Sequence, residues 1–233
     1  MKKITFLIST FIATLAFGQG TSGDKLKEAK VFELKSGKVE YKLDGTTKGI
    51  KTLYWDDYGR IQHEYRKTTT KMMGISNTEE TLTIRTKEWM YSIDLKEKTG
   101  TKTKTDATFQ TAEAFTGTQG MTHQEREQYG EAMLKSMGGK EVGSETILGK
   151  PCKVIEISQM KSKVWAYKNV TLKLTVNMGG MLGTSSEEAT SIEENIAVPA
   201  SKFQPPAGIE IQDVTDMMKN IPGMPGMDDE EEE

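Results

Sequence analysis

The 233-residue chain holds one cysteine, Cys152, so it forms no internal disulfide. It holds two histidines, His63 and His123, far apart and without cysteine or carboxylate partners at ligand spacing. No apolar run reaches the roughly 20 residues that a membrane-spanning helix needs. No nucleophile elbow, phosphate-cradling glycine loop or zinc signature occurs. Neither sign of charge dominates. Setting aside Lys2 and Lys3 from the 31 basic residues, and the six terminal carboxylates from the 34 acidic ones, leaves a nearly neutral body. These absences exclude a disulfide scaffold and the familiar hydrolase and nucleotidase sites. They also leave no basic footprint for nucleic acid.

What is present begins with the two ends. Lys2 and Lys3 precede an apolar stretch over residues 4–17, and Ala16-Phe17-Gly18 places small residues at the −3 and −1 positions of a cleavage site. Residues 1–18 read as a secretory signal peptide, with Gln19 as the mature N-terminus. No cysteine stands near that site, so a lipid anchor is not expected. Export without a disulfide pair suits a bacterial periplasm, with release outside the cell as the alternative. Residues 19–29 read as a flexible lead. At the other end, residues 213–233 are rich in Met, Pro and Gly and close on Asp228-Asp229-Glu230-Glu231-Glu232-Glu233. Like charges this dense repel and stay solvated, so this tail reads as disordered.

Between the ends, residues 30–212 supply one sizeable core. Val39, Tyr41 and Leu43 alternate with Lys38, Glu40 and Lys42, the period-two pattern of a strand with one wet face. Residues 50–55 form the next strand. Asp56-Asp57-Tyr58-Gly59 is its turn, and Ile61, His63 and Tyr65 mark the return. Leu82 and Ile84 mark another strand, and Trp89, Tyr91, Ile93 and Leu95 the one after it. Residues 99–105 alternate Thr with Gly or Lys and have little to bury, so an edge position or the barrel rim is expected.

The period then changes. Residues 106–138 read as a helical insert. Thr122 and Glu125 form a T-x-x-E capping box, Tyr129, Met133, Leu134 and Met137 recur at helical spacing, and Gly138-Gly139 ends the helix. That stripe is read as packing on the sheet, with a movable lid over an apolar cleft as the sharper alternative. Strands resume at Ser144. Val170, Leu172, Leu174, Val176 and Met178 give the clearest alternation in the chain, and a last long strand runs through Thr190, Ile192, Ile196 and Val198. Consecutive strands, a helical insert and more strands imply a mainly β (α+β) fold: a strongly curved antiparallel sheet or half-barrel, with one or two helices covering the concave face.

The C-terminal half carries Ile147-Leu148-Gly149-Lys150-Pro151-Cys152, then Trp165-Ala166-Tyr167-Lys168-Asn169-Val170-Thr171-Leu172-Lys173, and finally Phe203-Gln204-Pro205-Pro206-Ala207-Gly208. A tryptophan strand pair closed by F-x-P-P-x-G resembles the LolA/LolB-like superfamily, and more closely its uncharacterised exported relatives in Bacteroidota-type bacteria. The resemblance covers about residues 140–212. It implies a half-barrel plugged by helices, whose cavity in the carriers holds the acyl chains of lipoproteins in transit across the periplasm. Asn169 stands where a glycine is common, and the family's functional arginine matches no position.

No residue reads as catalytic, and neither a cofactor nor a metal is expected. His63 on a strand face reads as a half-buried packing residue, and Cys152 as a small buried hydrophobe. The 14 methionines are the compositional oddity. The pairs Met178/Met181, Met217/Met218 and Met224/Met227 leave Cu(I) binding as a remote alternative to an adaptable apolar surface. The expected activity is therefore non-enzymatic: an exported binding or carrier protein for a lipid, acyl chain, lipoprotein or other apolar ligand. Its expected cleft and lid are lined by Trp89, Tyr91, Tyr129, Met133, Leu134, Met137, Trp165, Leu172 and Leu174. The alternative is a module that binds another envelope protein through a sheet edge or the Met-rich segments.

Overall fold

The computed structural model describes residues 30–72, 74–106, 108, 116, 121, 123–179 and 183–219. The expected signal peptide, the lead at 19–29 and residues 220–233 lie outside the described residues, as do Thr122 and most of the first half of the helical insert.

Six strands come first: β1 (Gly37–Asp44), β2 (Thr47–Asp56), β3 (Ile61–Met72), β4 (Ile75–Arg85), β5 (Trp89–Asp94) and β6 (Thr99–Lys104). Helix α1 (His123–Ser136) follows, and Gly138, at φ 72°, ends it as a left-handed cap. Five more strands come next: β7 (Gly139–Ile147), β8 (Lys150–Ile157), β9 (Ser162–Tyr167), β10 (Val170–Gly179) and β11 (Gly183–Glu194). The described chain closes with β12 (Glu210–Asp213) and helix α2 (Thr215–Lys219).

All twelve strands form one open sheet in the order β12-β6-β5-β4-β3-β2-β1-β11-β10-β9-β8-β7. The two meanders meet where β1 pairs antiparallel with β11. Among the described residues every ladder is antiparallel except β12 on β6. This is the mainly β, curved-sheet class that the alternation implies. β6 and β7 lie far apart in the sheet, so the segment carrying α1 has to travel from one side of the sheet to the other.

Three details depart from the sequence reading. Residues 99–104 are not an edge, because β12 covers their outer side. The last long strand stops at Glu194, because Asn195 adopts φ 54° and donates its N–H to Ser36 O at 2.8 Å. The chain after Asp213 continues into α2, capped by Asp213, whose Oδ1 accepts both the Thr215 N–H and the Thr215 hydroxyl.

Directly opposed residues share a face, as do residues two apart along one strand. Tyr41 opposes Lys51, which opposes Arg66, and Leu53 opposes Glu64. Leu43 opposes Glu187, then Leu174, Val164 and Ile155 follow across the sheet. In the next row Val176 opposes Ser162, Ser162 opposes Ile157, and Ile157 opposes Gly139. A Cβ on Gly139 would sit 2.5 Å from the Leu134 side chain. Helix α1 therefore lies on this face, which we call inner. His63, Ile84, Leu82, Ile93 and Tyr91 share the outer face.

Two core clusters result. The larger gathers Val39, Tyr41, Leu53 and Trp55 with Cys152, Val154, Trp165, Val170 and Leu172. Register shifts that skip Leu172 in β10 and Thr190 in β11 bend the strands around it. The segment before β1 closes it: Phe32 meets Trp55 edge to face at 5.2 Å, and Trp55 Nε1 donates to Leu34 O at 3.1 Å. The Asp57-Tyr58-Gly59 turn, at φ 51°, 58° and 81°, holds that segment by accepting the Val31 and Phe32 N–H groups at Tyr58 O, both at 2.9 Å. The smaller cluster, Leu82, Ile84 and Ile93, is covered by Phe203 and Ile209 of the strap between β11 and β12. His63 Nδ1 donates to Lys202 O at 2.6 Å and pins that strap.

Two expectations follow. Phe32→Ala removes a buried aromatic from the larger cluster and lowers stability by about 3 kcal/mol in urea unfolding. Burial pulls the His63 imidazole below its ordinary value of 6.5, despite the Lys202 carbonyl. The unfolded chain then binds a proton that the folded one refuses, so this contribution is complete above pH 6.5 and is lost as pH falls below it. Unfolding midpoints measured from pH 7.5 to 5 therefore fall, and His63→Gln flattens that part of the profile.

Candidate functional site

The inner face has three zones. Beside α1 the strands present Ile155 and Ile157, which are buried, and Val164, Leu174 and Val176, which are half-buried. At the centre stand four charges. Lys51 pairs with Glu187, Arg66 Nη2 reaches Glu187 Oε2 at 2.5 Å, and Arg66 Nε lies 3.4 Å from Glu64 Oε1. Lys51 Nζ is also 3.9 Å from Glu64 and 4.0 Å from the centre of the Tyr41 ring. Beyond them lies a polar lane of Thr68, Thr81, Thr83 and Ser92.

The central side chains are only 10–21% exposed, so their charges sit largely out of water. Burial and the Glu187 and Glu64 carboxylates push the Tyr41 phenol well above its ordinary value. Its hydroxyl donates to Thr171 O at 3.0 Å. Two cations and two anions cancel, and each is already engaged. The arrangement suits holding a polar group beside an apolar floor. Elsewhere, burial raises the Cys152 thiol, which keeps it protonated. Among the described residues no group of three or more His, Cys, Asp or Glu is placed to hold a metal.

Next to the apolar floor, at the β8–β9 turn, lies an open depression of about 380 Å³ walled by Ile157, Ser158, Lys161, Ser162 and Asn177, among others.

The nine expected cleft residues do not form one cleft. Leu174 is on the inner floor, and Leu134 packs over it at Gly139. Met133 and Met137 are half-buried on the same helix, and Tyr129 is exposed, its hydroxyl donating to Thr116 O at 3.0 Å. Trp165 and Leu172 are buried inside the larger cluster. Tyr91 packs on the outer face beneath the strap, and Trp89, on the same face, lies under Lys102 and Lys104 with each ammonium 4.1–4.4 Å from its ring centre. Strand alternation identifies an apolar face but not which of the two sheet faces it belongs to. The charge cluster was missed because charges on strands read as solvated. One signal was available: Lys51 shares its phase with Leu53 and Trp55, a cation set in an apolar row.

No family model matches the chain, and no curated protein matches it. Comparison with solved structures finds an uncharacterized conserved protein from Thermus thermophilus at 5% identity and TM-score 0.49, covering 78% of this chain and 91% of that one. It also finds MucB at 13% identity and TM-score 0.45, covering 81% and 64%. The MucA/MucB complex of Pseudomonas aeruginosa matches at 10% identity and TM-score 0.46, covering 79% and 60%. This chain thus spans somewhat under two thirds of the MucB chains it resembles. No helix of the described residues is long and apolar enough to cross a membrane.

Glu187→Ala leaves Lys51 and Arg66 facing each other without their shared carboxylate. The expected cost is about 3–5 kcal/mol in chemical denaturation.

Proposed function

We propose that this is an exported, non-enzymatic binding or carrier protein that seats an amphiphile on the inner face of its sheet. The apolar chain lies on Val164, Leu174 and Val176 beside α1, and the polar end points toward the charges around Glu187. The observation that supports this most is the adjacency of the two zones: Leu174 and Leu43 flank Glu187 directly in register. A half-exposed apolar strip gains about 25 cal/mol per Å² when a chain covers it, without needing specific polar contacts. The neighbouring charges, paired among themselves, orient a polar group without leaving one unpaired.

The alternative, an exported protein partner adding a strand at a sheet edge, meets blunted edges. β12 is four residues long, and β7 carries Lys140 and Glu141 with a register shift at Val142. Short, charged or bulged edges resist pairing.

Protein purified from the cell envelope is expected to release a lipid or fatty acid on organic extraction, seen as a matching mass difference in native mass spectrometry. Val164→Thr with Val176→Thr keeps side-chain shape and wets the floor. Retention is expected to fall about tenfold, on the order of 1.4 kcal/mol. Unchanged retention, or a wild-type protein that carries nothing, ends this reading.

A further inference from the structure

Arg85, the last residue of β4, is half-buried and has no carboxylate partner among the described residues. Withdrawal from water lowers its guanidinium to about 10, so it stays charged at neutral pH. A charge taken out of water is costly unless it is paired. Nη2 donates to Gly59 O, and Nε is enclosed without a hydrogen-bond partner. Nη1 is neither bonded among the described residues nor enclosed, so it is the nitrogen that solvent reaches.

The side chain shares the inner-face row of Trp55, Gln62 and Met90. Gln62 faces it directly across the β3–β4 ladder, within side-chain reach. Gln62 Nε2 also donates to Gly59 O, at 2.7 Å, which leaves its second N–H free. One carbonyl therefore holds both side chains. That carbonyl is fixed in turn, because Gly59 adopts φ 81° and a Cβ there would sit 2.6 Å from the Phe32 ring. The nearby carboxylates are taken. Asp57 holds Arg60 at 2.5 Å and Lys87 at 3.0 Å. Glu64, next along this face of β3, is 3.4 Å from Arg66.

We propose that Arg85 and Gln62 bind an anionic oxygen group, a carboxylate or a phosphate, on the inner face beside the β2–β3 turn. Nη1 donates to one oxygen and the free Gln62 N–H to another, and the anion supplies the counter-charge that Arg85 lacks. The site is distinct from the zone around Glu187: Arg85 is in the Trp55 row, four residues along β2 from Lys51. It does not rest on the amphiphile reading, since a free anion and the acidic end of a larger ligand present the same oxygens.

The test titrates the full mature chain calorimetrically with inorganic phosphate, dodecyl phosphate and octaethylene glycol monododecyl ether, which has the same chain and no anion. Arg85→Met and Lys87→Gln are compared with wild type. Gln62 still donates to Gly59 O in Arg85→Met, and an uncompensated charge is gone. The melting temperature is therefore expected to hold or rise, so lost binding is not lost folding. Arg85→Met is expected to bind dodecyl phosphate about tenfold more weakly and the ether within about twofold of wild type. Lys87→Gln, which removes an exposed cation outside the site, is expected to bind all three as wild type does. If inorganic phosphate binds as tightly as dodecyl phosphate, with the same dependence on Arg85, the site stands and its ligand is a free anion. If Arg85→Met binds both phosphates as wild type does, or if neither phosphate binds wild type, the site is overturned. Binding of the ether bears on the amphiphile reading alone.

Discussion

The structure depends on the pairing of β1 with β11. Each side of that seam is a meander held by hairpins. The seam joins Val39 and Tyr41 to Ile192 and Ala189, which completes the larger cluster. It also places Glu187 against Leu43 and within reach of Lys51 and Arg66. Core and candidate site are thus produced by the same ladder.

One sheet has two faces, and this chain covers them with little helix. The segment before β1 closes the larger cluster, the strap before β12 closes the smaller, and α1 rests against the start of β7. The coverage is unequal. Where Phe32 and Phe203 arrive, the strands are dry. Between α1 and the central charges they stay half-exposed, and a row of valine and leucine is left beside paired ions. Buried ion pairs add little net stability compared with well-packed apolar groups.

Much of this was legible in the sequence. Period-two alternation located β1, β2, β3, β5 and β10, and Asp56-Asp57-Tyr58-Gly59 was a turn by its chemistry alone. The helix ending at Gly138 followed from a narrow stripe and a glycine pair. What was not legible depends on contacts distant in sequence. β12 is four residues with one half-buried isoleucine, and only its place beside β6 makes it a strand. Trp89 and Trp165 look alike in sequence, yet one lies on the outer face under two lysines and the other in the core.

The seam has a further consequence in time. The hydrogen bond from Ser191 to Glu40 joins residues 151 apart in the chain. The first strand to leave the ribosome has to wait for nearly the last. Folding dominated by such distant pairings is slow, because the loop must close before any contact rewards it. For tens of residues at a time the growing chain has hairpins but no core to collapse onto. A polypeptide of this topology stays threadable while it is being made and becomes compact only when its far end arrives.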